Sequence, residues 1–318
     1  MDKNINVDFR PKPVLIDCDP GHDDAIAILM AVALPELDLL GITTVAGNQS
    51  LEKTTRNARV VCGLPGIGEI PIASGADRPL MRKSVTAVVH GESGMDGPSL
   101  DGNQAPLDSR HAVELIVDTI EAASEPVTII AIGPLTNIAL TIGLYPHIVE
   151  RIPSIYMMGG AWSLGNHTPS AEFNIYVDPD AAKAVFNSEI PIHMAGLEIT
   201  RQAAINESVI KRIGALGSQA GDFVRDILLF YRSSFLLRHG YDGAPIYDAC
   251  AVAWLARPEL VRSQLMHIDV DTNEGPSLGR TVCDVNGVLG LEANVDVGME
   301  LQVESFWDTM LEAISAYP

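Results

Sequence analysis

The sequence predicts an α/β fold, a single domain with a mostly parallel central sheet flanked by helices. Short apolar runs alternate with segments of helical spacing along the chain. Most of these runs end in polar or glycine-rich turns, as parallel strands do before a crossover helix. The 318 residues, 47% hydrophobic and 19% charged, suffice for a large core. No repeat, low-complexity tract or linker divides the chain, so one domain is predicted over residues 1–318.

The first strand, turn and helix, predicted within residues 14–30, contain the most informative pattern. Four carboxylates, Asp17, Asp19, Asp23 and Asp24, lie within eight residues around a Pro-Gly turn. Because side chains alternate along a strand, Asp17 and Asp19 are predicted to share one strand face, with Asp23 and Asp24 in the opening helical turn. Helix capping explains one of the latter two, but not four carboxylates. Like charges this close need a cation or hydrogen-bond donors to neutralise them.

The remaining elements continue the alternation in order. Strands are predicted at 39–45, 70–73, 127–132, 155–158 and 192–195, with further strands within 265–303. Helices are predicted at 51–62, 111–123, from 135, at 180–187, within 206–237 and at 248–256. Between them, residues 74–108 form a long irregular stretch that carries His90 and is predicted to be functional.

Composition restricts the class of ligand. The net charge of −20 argues against nucleic acid, since phosphate contacts need clustered Lys and Arg, and favours small neutral or cationic ligands. No apolar run is long enough to cross a bilayer, and the first residues lack signal-peptide features, so a cytoplasmic protein without membrane contact is predicted. The four cysteines show neither disulfide nor zinc-site spacing and are predicted to be reduced thiols.

Four segments place polar groups at the predicted carboxyl ends of strands, where parallel sheets bind ligands. They are the aspartate cluster, Asn48, residues 172–174 and residues 247–248. Carboxylate and carbonyl oxygens suit a hard cation such as calcium or magnesium, and no Cys or His pattern suits zinc. Water on such a cation becomes a better nucleophile when a neighbouring aspartate takes its proton. Metal-assisted hydrolysis is the predicted chemistry.

The run Asp17-Cys-Asp-Pro-Gly-His-Asp-Asp24 resembles the N-terminal signature of the nucleoside hydrolases, which cleave ribonucleosides into ribose and a free base. Five further motifs match in order: Val45-Ala-Gly-Asn48, His90-Gly-Glu-Ser-Gly94, Ile132-Gly-Pro-Leu-Thr-Asn137, Met158-Gly-Gly160 and Ala171-Glu-Phe-Asn-Ile-Tyr-Val-Asp-Pro179. So many ordered motifs make coincidence improbable. The resemblance, closest to the inosine-uridine preferring type, implies a Rossmann-like hydrolase fold, a bound calcium ion and a role in nucleoside catabolism and salvage. It also implies a homodimer or homotetramer.

The resemblance also implies roles for individual residues. Calcium would be held by Asp19, Asp24, Asp248 and the backbone carbonyl of Ile132, and Asp19 would deprotonate the bound water. The ribose would be held by Asp23, Asn48, Asn166, Glu172 and Asn174, with Met158 lining the sugar pocket. His90 matches a histidine near the nucleobase and is a candidate catalytic group. A carboxylate-lined pocket suits the positive charge of a ribosyl oxocarbenium-like transition state.

Several of these residues have a simpler structural interpretation. Asn137 is predicted to cap a helix, whereas Asn48 is predicted to belong to the site. His22 has no predicted role. A core face is the first interpretation of Tyr231, Phe235, Leu236 and Leu237, which lie at helical spacing, although the corresponding helix borders the base pocket in the family.

The chain departs from the inosine-uridine pattern at Tyr247. Family members there place a histidine that is proposed to protonate the leaving base, and a tyrosine with a reference pKa near 10 is poorly matched to that task. In the purine-specific branch an aromatic residue stacks on the base at this position. Tyr247 could stack, donate a proton, or leave the task to Tyr241 or His239. Base preference stays open.

Two other functions are compatible with parts of the pattern. One is a nucleoside- or ribose-binding protein that has lost turnover because of Tyr247. The other is an aspartate-dependent phosphatase of the haloacid dehalogenase type, since Asp17 and Asp19 follow a strand. The phosphatase ranks last because the Pro-Gly-His-Asp-Asp continuation does not fit its nucleophile motif.

Overall fold

An eight-stranded sheet forms the centre of the protein, in a computed structural model that describes residues 10–87, 89–240 and 242–318. The strands are β1 Lys12–Cys18, β2 Leu37–Thr44, β3 Ile72–Ser74, β4 Thr128–Ala131, β5 Ile155–Met158, β6 Ile192–Ala195, β7 Val261–Met266, β8 Ile268–Val270, β9 Thr281–Cys283 and β10 Val295–Leu301. The α-helices are α1 His22–Ala33, α2 Leu51–Val61, α3 Ala112–Ala122, α4 Thr136–Leu144, α5 Phe173–Val177, α6 Pro179–Phe186, α7 Leu197–Thr200, α8 Glu207–Gly214, α9 Gln219–His239, α10 Ala249–Ala256 and α11 Val303–Ser315. Two short 3₁₀ helices span Pro146–Arg151 and Pro258–Leu260.

The strand order β3-β2-β1-β4-β5-β6-β10-β7 explains where a ligand can bind. All neighbouring pairs are parallel except β10 with β7 at one edge. From β1 the chain builds the sheet outward in one direction through β2 and β3, and then in the other from β4. The reversal leaves a crevice at the carboxyl ends of β1 and β4, the place where open parallel sheets bind ligands.

Both faces of the sheet are covered by apolar helix faces. On β1, Val14 and Ile16 pack into one core cluster with residues of α1, α10 and α11, whereas Leu15 packs into a second cluster with residues of α3, α4 and α6. A strand buried on both faces reads as a continuous apolar run, and this is why residues 14–16 could be predicted as a central parallel strand.

The predicted fold class and the mostly parallel sheet are confirmed, and each predicted strand or helix up to residue 256 has a counterpart. Within 206–237 the predicted helical region divides into α8 and α9, and α5, α7 and α11 were not predicted. In the described part of the chain, no helix is both long and apolar enough to span a membrane. The first nine residues of the predicted domain lie outside the described ranges, as does Tyr241.

Asn137, fully buried at the start of α4, ties the ends of three strands together. Its Nδ2 donates to Asp17 Oδ1 of β1 at 2.8 Å and to the Thr44 carbonyl of β2 at 3.1 Å. Its Oδ1 accepts the backbone N–H of Ala76, just after β3, at 2.9 Å. The role of Asn137 is thus structural, as expected, but the predicted helix cap is wrong, because the N-cap of α4 is Leu135. The contacts of Asn137 instead hold in register the strand ends from which the site is built.

Replacing Asn137 with leucine, which has a similar volume, leaves the Ala76 N–H without its partner and removes one of the two donors to Asp17 Oδ1. The Thr44 carbonyl still accepts the Gly75 N–H. We expect the free energy of unfolding to fall by about 1–3 kcal/mol, the cost of an unsatisfied buried group. Urea unfolding of Asn137→Leu measures this loss. The control is Asn103→Leu at an exposed position. A loss for Asn137→Leu no larger than that of the control would contradict the bridging role.

Candidate active site

Asp19 follows β1 directly and lies fully buried at the switch point of the sheet. Its Oδ2 accepts the backbone N–H of Asn48 at 2.6 Å. Its Oδ1 is buried and has no hydrogen-bond partner among the described residues. Two glycines make room for this carboxylate: a Cβ at Gly47 would lie 2.1 Å from Oδ2, and a Cβ at Gly133 would lie 2.7 Å from Oδ1.

The first turn of α1 carries two aspartates with different partners. Asp24 accepts the backbone N–H of Gly21 at 2.9 Å and that of Asp19 at 3.1 Å, so it closes the start of the helix. Asp23 accepts the backbone N–H of Tyr247 and lines the cavity described below.

Asp248, which precedes α10, brings a third carboxylate to this turn. Ligand atoms of Asp23, Asp24 and Asp248 lie within 4.8 Å of one another. The carboxyl groups of Asp24 and Asp248 are hydrogen-bonded to each other, which requires a shared proton unless a cation replaces it. A buried set of carboxylate oxygens is the donor set that calcium and magnesium prefer.

Burial and mutual repulsion raise the pKa values of these groups. Burial, followed by the charge of Asp24, raises the pKa of Asp23 to about 7. Burial and the neighbouring carboxylates raise the pKa values of Asp19 and Asp248 well above the ordinary range. Such a cluster is stable at neutral pH only with bound protons or a compensating cation, and the residues present therefore fit a hard divalent ion.

Asp17 has different contacts from the other three aspartates of the signature. Its Oδ1 accepts the hydroxyl of Thr43 at 2.5 Å and the amide of Asn137 at 2.8 Å. Burial raises its pKa to about 7. It belongs to the strand-end bridge of Asn137, and the strand itself ends at Cys18, before Asp19.

Glu172 and Asn174 come from the start of α5, a short helix that the sequence did not predict. Glu172 caps it: its carboxylate accepts the backbone N–H of Asn174 at 3.0 Å, of Ile175 at 3.2 Å and of Gly160 at 3.0 Å. Burial raises its pKa to about 7. These three donors fix the carboxylate at the carboxyl end of β5.

The side-chain amide of Asn174 links two neighbouring strand ends. Its Nδ2 donates to the carbonyl of Ile132 after β4 at 3.0 Å and to that of Met158 at the end of β5 at 3.2 Å. The Ile132 carbonyl, which the resemblance assigns to the metal, thus has one hydrogen bond and retains its second lone pair.

A cavity of about 520 Å³ lies at these strand ends, a size that suits a small ligand such as a nucleoside. Most residues predicted for the site line it, namely Asp23, Asn48, His90, Ile132, Met158, Asn166, Glu172, Asn174, Tyr247 and Asp248. Asp19 and Asp24 do not line it and lie buried behind its wall. Tyr231 and Phe235 are buried in the core and also line the cavity, as the two interpretations of this helix predicted. The core-face prediction is wrong for Leu236 and Leu237, whose side chains are exposed because they lie on the outer side of α9.

The sequence missed several lining residues. Arg201 follows α7 and donates to the carbonyl of Gly165 at 2.9 Å, and Arg238 lies in the last turn of α9. Phe173 and His167 complete the same side of the cavity. No local pattern marks these positions, because they approach the cavity only through the packing of α7, α9 and the loop before α5.

Tyr247 lines the cavity and directly precedes Asp248 in the chain. Burial and the charge of Asp23 raise the pKa of its phenol, while a hydrogen bond with Asn166 opposes the rise. A phenol with a raised pKa is a weak proton donor at neutral pH. His239, another candidate donor, packs its ring against Phe235 at a centroid distance of 4.3 Å.

Comparison with known proteins assigns the chain to a family. The sequence model of the inosine-uridine preferring nucleoside hydrolases matches residues 14–308. The chain belongs to this family. It is therefore a ribonucleoside hydrolase, and the predicted enzyme class is confirmed.

Individual relatives support the assignment. The chain is 43% identical over 310 residues to the pyrimidine-specific ribonucleoside hydrolase RihB of Escherichia coli strain K12, covering 97% of this chain and 99% of the relative. Its structure is similar to that of a purine-preferring ribonucleoside hydrolase from Gardnerella vaginalis, with a TM-score of 0.88, 31% identity and coverage of 96% and 98%. An inosine-guanosine nucleoside hydrolase matches with a TM-score of 0.87, 26% identity and coverage of 96% and 99%. Ribonucleoside hydrolases that are named for different nucleosides thus share this fold.

Gly47→Ala tests whether the position of Asp19 matters. A methyl group 2.1 Å from Asp19 Oδ2 must displace the carboxylate, and we expect kcat/KM for a ribonucleoside to fall by about 100-fold or more. Gly68→Ala is the matched control, because a Cβ there meets no atom within 4 Å. Reducing-sugar release measures both variants. Equal rates for the two would show that the placement of Asp19 is not needed for turnover.

Proposed function

We propose that this hydrolase uses calcium held by Asp19, Asp24, Asp248 and the Ile132 carbonyl, and that Asp19 is the base. Two observations support the proposal: the buried Oδ1 of Asp19 has no partner among the described residues, and the carboxylates of Asp23, Asp24 and Asp248 form one close group. A buried carboxylate oxygen left unsatisfied is costly, and an ion removes that cost. An oxygen-only donor set matches calcium better than zinc or copper.

The reaction adds water across the N-glycosidic bond. A bound cation would lower the pKa of a coordinated water molecule. Asp19, held by the Asn48 N–H through Oδ2, accepts a proton from water, whose oxygen bonds to C1′ of the ribose. The C1′–N bond breaks with its electron pair passing to the base nitrogen. That nitrogen takes a proton from solvent and Asp19 releases its proton to solvent, so one water molecule is added overall.

The same cavity wall supplies the proposed ribose contacts: Asp23, Asn48, Asn166, Glu172 and Asn174, with Met158 against the sugar. Glu172 and Asn174 are fixed by their hydrogen bonds at the ends of β4 and β5. Their carboxylate and amide oxygens can accept from sugar hydroxyls. Carboxylates here also stabilise the positive charge that develops on the ribosyl group.

The base preference that we propose is for pyrimidine ribonucleosides. The support is the 43% identity to the pyrimidine-specific RihB over almost the whole chain. Stacking surfaces for a base are present, since Tyr231, Phe235 and Tyr247 all line the cavity. A homodimer or homotetramer remains the proposed assembly, as the resemblance to the family implies.

A substrate panel with metal removal tests the proposal. With calcium, we expect ribose release from uridine and cytidine to exceed that from inosine and adenosine. Chelation should lower the rate at least about 100-fold, and added calcium should restore it. Asp19→Asn should abolish almost all turnover, with Asp101→Asn at an exposed position as the control. Near-normal turnover of Asp19→Asn would exclude Asp19 as base, and nucleoside binding without any release would favour the binding-protein alternative.

Tyr247 is proposed to contact the base rather than to protonate it. Tyr247→Phe keeps the ring and removes the hydroxyl, so we expect kcat on uridine to change less than about tenfold. Loss of a general acid costs about 10²–10⁴-fold, and a fall of that size would identify Tyr247 as the acid. Tyr247→His should raise kcat on uridine if protonation of the base limits the rate. Unchanged rates for both variants would show that no proton transfer at this position limits turnover.

A further inference from the structure

His22, inside the aspartate signature, forms a buried hydrogen-bonded pair with His90. The side chain of His22 is fully buried at the start of α1, and that of His90 is 5% exposed and lines the cavity. The two Nδ1 atoms are 2.9 Å apart, and His22 Nε2 lies 2.7 Å from the backbone carbonyl oxygen of Asp96. The irregular stretch of residues 74–108 thus contacts the signature of residues 17–24 through these two imidazole rings.

The partners decide which nitrogen carries a proton. A carbonyl oxygen only accepts, so Nε2 of His22 must carry the hydrogen that it donates to Asp96. A neutral imidazole has one N–H, and Nδ1 of His22 is therefore an acceptor. The hydrogen in the 2.9 Å contact must then belong to Nδ1 of His90, which leaves Nε2 of His90 without a hydrogen. The backbone N–H of His22 is 3.4 Å from His90 Nδ1, too far to outweigh this contact.

The surroundings keep both rings neutral. They stack with Tyr231 at centroid distances of 5.4 and 5.6 Å, and His22 stacks with Phe230 at 5.3 Å. Both rings are buried among these aromatic side chains, and a charged imidazolium there would lose its hydration without an ionic partner, which favours the neutral form. The carboxylate of Asp96 is turned to the backbone N–H groups of Glu92 and Ser93, so it does not pair with either ring.

The backbone around the pair is fixed. A Cβ at Gly21 would lie 2.8 Å from His90 Nδ1, so only glycine lets the two rings approach. Asn57 donates from Nδ2 to the carbonyls of Pro20 at 3.0 Å and Ser93 at 3.1 Å, and so joins the signature turn to the loop. The two histidines therefore meet in one geometry rather than by chance contact of mobile side chains.

We propose that His22 is a positioning residue: it holds the proton of His90 on Nδ1, so that His90 presents Nε2 to the substrate as a hydrogen-bond acceptor. This rests on the proposed function, with a nucleoside in the cavity. His90 then binds a donor of the nucleoside, either an N–H of the base or the 5′-hydroxyl. It does not protonate the departing base, because Nε2 has no proton to give.

The tautomer can be measured without turnover. In the calcium-loaded protein labelled with ¹⁵N-histidine, we expect the Nδ1 signal of His90 in the protonated range and its Nε2 signal in the unprotonated range. His22→Asn offers an amide oxygen in place of the acceptor and should keep this pattern, whereas His22→Leu should shift both signals toward a mixture of tautomers. His147→Asn, at an exposed position, is the control. A protonated Nε2 of His90 in the unsubstituted protein overturns the proposal.

Substrate analogues test the consequence for recognition. 3-Methyluridine lacks the base N–H and 5′-deoxyuridine lacks the hydroxyl. We expect kcat/KM to fall about tenfold on one of them relative to uridine, the loss of one hydrogen bond. The difference in kcat/KM between uridine and that analogue should persist in His22→Asn and shrink in His22→Leu. The analogue that is affected shows which group of the nucleoside donates to His90.

Equal rates on all three substrates, or a discrimination unchanged in His22→Leu, overturn the proposal. Failure of the proposed function would look different. In that case no nucleoside would release ribose, while the ¹⁵N signals of His90 would still report the tautomer.

Discussion

The structure depends on the burial of carboxyl groups at one edge of the sheet. Each loses its hydration there, and each must recover the lost free energy from a donor, a proton or a cation. Glu172 takes three backbone N–H groups, Asp24 takes two, and Asp17 takes an amide and a hydroxyl. Asp17 and Asp19 each keep one buried oxygen without a partner among the described residues, and Asp19 in addition faces the charges of Asp24 and Asp23. That residual demand distinguishes a site for an ion from a set of helix caps.

The sheet topology places these buried carboxyl groups beside the crevice where a substrate can bind. Reversal of the strand order between β1 and β4 opens the crevice, and α5 closes its side by bonding to the ends of β4 and β5. The cavity has carboxylates where the sugar is proposed to bind and two guanidinium groups, Arg201 and Arg238, elsewhere in its wall. Negative carboxylates can stabilise a cationic ribosyl group, and positive guanidinium groups can stabilise the electron-rich base that leaves it.

In the proposed function, few side chains recognise the base. Relatives named for pyrimidine and for purine nucleosides share the family or the fold with this chain, so the scaffold does not choose the base. The candidates for that choice are Tyr247, whose phenol proton is strongly held, and the pair of His22 and His90. Both are hydrogen-bonded to the N-terminal signature: Tyr247 donates its backbone N–H to Asp23, and His90 contacts His22.

The sequence by itself determined the fold class, most strands and helices, and many of the residues that line the cavity. It could do so because apolar periodicity marks buried strands, and because the motifs shared with the nucleoside hydrolases indicate the site residues. Only the tertiary structure gave the hydrogen-bond partners of Asp17, paired His22 with His90 and brought Arg201 and Arg238 to the cavity. These outcomes depend on hydrogen-bond partners distant in sequence, such as Asn137 and the Asp96 carbonyl. Periodicity within one element cannot specify such partners, because packing between elements selects them.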